Sequence, residues 1–140
     1  MSIMEKPDES KSRNGFAAVK RVFGYGILIC FIFLFFAFLC ICFSIRSSVK
    51  EISAKAVRQY PGDRIEALVT YVDSENHSLK QRNLAVWALG QIGDERALPL
   101  LEKSWTGRPC DHSSRLCQRE VGKAIKLCKG SLNATAWLPR

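Results

Sequence analysis

The sequence predicts an all-α chain: a single transmembrane helix followed by a short α-solenoid of antiparallel helix pairs. Three observations carry that reading. Residues 24–45 hold no charged side chain, the 95 residues beyond them repeat apolar positions at steps of three and four, and short turn signals separate the segments so marked. At 140 residues and a net charge of +8, the chain is too short for a large two-domain enzyme.

Residues 1–23 are polar and basic without apolar periodicity, and are expected to form a disordered tail. The segment 24–45 (GYGILICFIFLFFAFLCICFSI) would span roughly 33 Å as a helix, enough for a hydrocarbon core of about 30 Å. It lacks the polar stripe of a soluble helix. It exceeds a signal-peptide core, and Cys42-Phe43-Ser44-Ile45 is a poor cleavage site, so it reads as an uncleaved signal anchor. Cys30, Cys40 and Cys42 read as small packing side chains within it. Five basic residues precede the span (Lys6, Lys11, Arg13, Lys20, Arg21) and five follow within twenty residues (Arg46, Lys50, Lys55, Arg58, Arg64), so the count fixes no orientation. A short tail with Lys20 and Arg21 against the span resists translocation. The N-terminus is therefore expected in the cytoplasm and the helical domain outside.

Residues 46–62 read as a juxtamembrane helix and turn, with Val49, Ile52, Ala56, Val57 and Tyr60 at helical spacing before Pro61-Gly62. Residues 63–130 form the expected repeat domain and 131–140 a C-terminal tail. Asp63 with Glu66 makes a capping box ahead of Ile65, Leu68, Val69 and Val72. Ser78 with Gln81 makes a second, opening a helix with Leu79, Leu84, Ala85, Ala88, Leu89 and Ile92 that ends at Gly93. Asp94 caps a fourth helix carrying Leu98, Leu100, Leu101 and Trp105, with Pro99 in its first turn. A fifth is expected over about 114–129, with Cys117, Val121, Ala124, Ile125 and Cys128 on one face.

Residues 82–101 (RNLAVWALGQIGDERALPLL) resemble the HEAT-like repeat of phycobilisome lyases, R-x-x-A-x-x-A-L-G-x-I-G-D followed by an Ala-Leu-Pro-x-Leu helix. Ala85, Ala88 and Gly90 allow close helix approach, Leu89 and Ile92 fill a core, Gly93 turns the corner and Asp94 caps the return helix. A degenerate copy follows 36 residues on, where Gln118, Val121, Ala124, Ile125 and Cys128 take the places of Arg82, Ala85, Ala88, Leu89 and Ile92. It carries Lys126 in place of Gly90, and residues 106–113 (TGRPCDHS) lengthen the spacing. Residues 64–72 resemble the second helix of a preceding copy. Stacked repeats need about three copies for stability, so the open ends are expected to meet a protein partner, a second protomer or the bilayer.

Cys117 and Cys128 lie about 16 Å apart along one helix and cannot bond to each other. Cys110 in the loop and Cys117 in the first helical turn can meet, and a disulfide there would fit an oxidising compartment. Cys110, His112 and Cys117 do not match common metal-ligand spacings, so no metal and no cofactor is expected. His77, beside a cap, is expected in solvent.

Arg115, Arg119, Lys123 and Lys126 follow steps of four, four and three, opposite the apolar stripe of the fifth helix. Residues 46–140 carry 16 basic against 10 acidic side chains, so this face concentrates a real excess. A solvated surface is the plain reading. The functional one is attraction to an acidic partner or anionic lipid. Nucleic acid is not expected, because no aromatic residue is expected to interleave with the basic ones on this face and an extracytoplasmic domain would rarely meet it.

No nucleophile–base–orienter set and no glycine-rich phosphate loop is present. The resemblance implies an interaction module, so a non-enzymatic membrane-anchored scaffold is expected. Its rivals are a lyase-like protein using an exposed Cys110, and a spacer that dimerises within the membrane.

Overall fold

The structure, a computed structural model, describes residues 9–111 and 114–133, with side chains from residue 23 onward. Every regular element among the described residues is helical: α1 (Glu9–Gln59), α2 (Arg64–Asp73), α3 (Leu79–Ile92), a 3-10 turn (Glu95–Ala97), α4 (Leu98–Ser104) and α5 (Gln118–Cys128). The chain divides into two compact units, Met1–Ile41 and Cys42–Arg140.

In the first unit the described residues belong to α1. Between Pro7 and Pro61 no proline removes a backbone donor, so one helix runs from Glu9 into residues 46–59. It therefore occupies residues 9–23, where the sequence suggested a disordered tail; residues 1–8 lie outside the described region. The stretch from Phe23 is long and apolar enough to cross a membrane, with an 18-residue window of mean hydropathy 3.1. Its large side chains, Phe31, Phe33, Leu34, Phe35 and Phe36 among them, are exposed.

The second unit has one apolar core. Ile52 and Ala56 of α1, Ile65, Leu68, Tyr71 and Val72 of α2, and Ala85, Val86, Ala88 and Leu89 of α3 enter it. Leu101 of α4 and Val121, Ala124 and Cys128 of α5 complete it. The Asp63 carboxylate accepts the N–H groups of Ile65 and Glu66, both at 2.9 Å, while Glu66 reaches back to the Asp63 N–H, the expected capping box. The Ser78 cap is simpler: its hydroxyl accepts the Gln81 N–H at 3.4 Å. Ala85, Ala88, Leu89 and Ile92 of the expected α3 stripe are buried, whereas Leu84 faces solvent and Val86 joins the core. Gly93 closes α3 at φ +67°, a left-handed conformation that a side chain would strain. Asp94 then caps the 3-10 turn, and Pro99 falls at the start of α4, where its missing donor costs nothing.

Helix α3 packs against both α2 and α5, and α4 packs against α5. The repeat motif supplies the links. Arg82 Nε donates to the Val72 carbonyl at the end of α2 (2.8 Å), and Asn83 Oδ1 accepts the Cys117 N–H ahead of α5 (2.8 Å). That second bond fixes Cys117 in extended backbone as the cap of α5. The fifth helix thus starts at Gln118, four residues later than the spacing suggests.

Candidate functional site

The late start of α5 reshapes the basic face. Arg119, Lys123 and Lys126 stand on the helix, exposed, whereas Arg115 lies in the loop before it and does not join the stripe. Acidic side chains temper the charge: Lys123 Nζ is 3.2 Å from Glu120, Arg119 Nε is 3.8 Å from it, and Lys129 Nζ is 2.7 Å from Glu102.

The expectation of no aromatic residue on this face does not hold: α5 carries none, but the end of α4 brings one onto it. Trp105, the residue closing α4, lies against Gly122, where a Cβ would stand 2.8 Å from indole Cζ3. The indole remains 46% exposed, which makes it an aromatic surface flanked by cations. A one-helix reading misses it, because Trp105 and Lys123 are 18 positions apart and meet only through the packing of α4 on α5. Together with Gln118, Ile125 and Lys126 these residues line a groove of about 680 Å³.

Gln118 holds the groove's edge. Buried at the first position of α5, it accepts the Thr106 N–H at 2.7 Å and donates to the carbonyls of Ser104 (3.1 Å) and Leu116 (3.2 Å). One amide therefore ties the end of α4 to the start of α5.

The structure brings Cys110 and Cys117 together, their sulfurs 2.7 Å apart as free thiols. Cys110 is exposed and also accepts the Arg119 N–H at 3.2 Å. The contact with Cys117, and then that N–H, hold its thiol below the ordinary cysteine range. Cys128 is the reverse case: its thiol faces the Leu89 carbonyl at 3.7 Å, and burial pushes its pKa up to about 11. His112 lies outside the described residues, and no cluster of three metal-ligating side chains occurs among those described.

His77 is half-buried and held by contacts rather than free in solvent. Its ring stacks on Tyr71 with centroids 3.7 Å apart, and its Nε2 is 2.9 Å from the Tyr60 hydroxyl, pinning the α2–α3 turn to the end of α1. The spacing of 17 residues to Tyr60 gave no sign of this.

Residues 81–104 match the family model described as the PBS lyase HEAT-like repeat, a stretch covering nearly all of α3, the 3-10 turn and α4. Neither a curated protein nor a solved structure matches the chain.

Proposed function

We propose that this chain is a membrane-anchored, HEAT-type scaffold whose helical module docks an acidic segment of a partner protein and is not an enzyme. The span at 24–45 acts as an uncleaved anchor, the short tail stays in the cytoplasm and the module lies on the other side. Its helices form a minimal solenoid of antiparallel pairs. The supporting observation is the groove between α4 and α5. There an exposed indole, Ile125 and four cations (Arg119, Lys123, Lys126 and Lys129) share one concave surface with a single carboxylate, Glu102, on a chain with a HEAT-like repeat match. Aromatic and arginine side chains are the residue types that anchor protein interfaces. The excess of cations favours an acidic partner and speeds its approach.

A photo-crosslinking residue at position 105 of the full chain, irradiated in native membranes, tests this. A discrete protein adduct, absent when the residue stands at exposed Glu75 instead, is the expected result. Adducts to lipid alone would replace the acidic partner with the bilayer surface and overturn the proposal.

A further inference from the structure

The geometry points to a dithiol–disulfide site: Cys110 and Cys117 close residues 110–117 into a ring by an intramolecular disulfide, with a small-molecule or protein disulfide such as oxidised glutathione as the oxidant. The site stands on its own geometry, whatever occupies the groove.

Four features converge on it. The sulfurs are already 2.7 Å apart, so bonding them needs a side-chain adjustment and no rearrangement of the fold. Both flanks of the loop are held, Cys117 by Asn83 Oδ1 on its N–H and Thr106 by Gln118 Oε1 on its N–H. Cys110 is exposed and open to attack on a solvent-borne disulfide, while Cys117 is buried and placed to resolve the product. The Arg119 N–H in the first turn of α5 aims at Cys110 Sγ, stabilising the thiolate as a helix N-terminus does elsewhere. Cys128 does not compete, since it is buried against α3.

In the first step the Cys110 thiolate attacks one sulfur of the oxidant, breaking its S–S bond and expelling one thiolate. Cys117, losing its proton, then attacks Cys110 Sγ in the mixed disulfide and expels the second. The protein loses two electrons to the oxidant, and the two thiol protons pass to the two thiolates released. The ring formed is short, and it fastens the loop that leaves Trp105 to the cap of α5.

The test uses the full chain in lipid nanodiscs, equilibrated with oxidised and reduced glutathione, acid-quenched, alkylated and digested with trypsin. Cleavage after Lys103, Arg115 and Arg119 places the two cysteines in separate peptides, 104–115 and 116–119. The expected product is these peptides linked and two hydrogens lighter than their sum, exceeding any Cys110–Cys128 product by more than about tenfold. In Cys117→Ser, Cys110 should instead accumulate as its glutathione mixed disulfide. From the enclosed loop, unfolding of the oxidised chain should occur some 5–10 °C above the reduced chain. Two alkylated thiols at every glutathione ratio, or a stable glutathione adduct on Cys110 in the unsubstituted chain, would overturn the assignment.

Discussion

Gly90 of α3 meets Ala124 of α5 so closely that a Cβ at position 90 would stand 2.8 Å from the Ala124 Cα and 3.0 Å from its Cβ. The opposing atoms are helix backbone and a buried methyl, which cannot swing aside. Gly90→Ala should therefore destabilise the domain by about 1–3 kcal/mol through overpacking, read as a lower urea midpoint by circular dichroism. Gly122→Ala should cost less, because its Cβ meets only the outer edge of the Trp105 indole, which can tilt away. The change to expect there is a shift in Trp105 exposure, measured by fluorescence quenching.

Much of this contact was legible in the residues. An Ala-Leu-Gly-x-Ile-Gly-Asp run fixes a small-residue helix face, a left-handed stop and a cap, and all three occur. The capping box at Asp63 was equally readable, since both partners lie within one turn. The start of α5 was not, because it depends on Asn83, 34 residues away, taking the Cys117 N–H. The same limit hid Trp105 on the basic face and His77 on Tyr71. Each requires knowing which helices meet, and periodicity along one helix carries no such information.

The Tyr71 hydroxyl is buried and has no hydrogen-bond partner among the described residues, while its ring carries the His77 stack. Tyr71→Phe keeps the ring and removes the unsatisfied group. The substitution should leave stability unchanged or raise it by about 1 kcal/mol in thermal unfolding. Tyr60→Phe should lower stability, since it removes the hydroxyl that meets His77 Nε2.

Burial, followed by the charges of Lys55 on α1 and Arg82 on α3, holds the His77 pKa below its ordinary 6.5. The unfolded chain then takes up the proton first. Stability from this site is complete above about pH 6.5 and is lost as pH falls through that value toward the lower folded pKa. Denaturation midpoints should drop between about pH 7 and pH 5, and His77→Phe should flatten the profile. Asp63 and Asp94 act in a separate window. The Glu66 N–H and then Arg96 lower the Asp63 pKa, and Arg96 lowers that of Asp94. Their contribution persists above about pH 3.8 and disappears on further acidification.

An anchoring span makes its own prediction. The full chain should remain in the membrane pellet after alkaline carbonate extraction. Phe33→Arg with Phe36→Arg adds an insertion cost of about 5–7 kcal/mol and should release the chain to the supernatant.

The docking groove faces its most direct measurement in the yield of the position-105 photo-adduct when Arg119, Lys123 and Lys126 are all changed to Glu. If an acidic segment of a partner protein sits there, reversing three charges should cut the protein adduct at least tenfold while the helical content stays unchanged, since all three side chains are exposed. An undiminished adduct would contradict the charge-guided docking surface on α5.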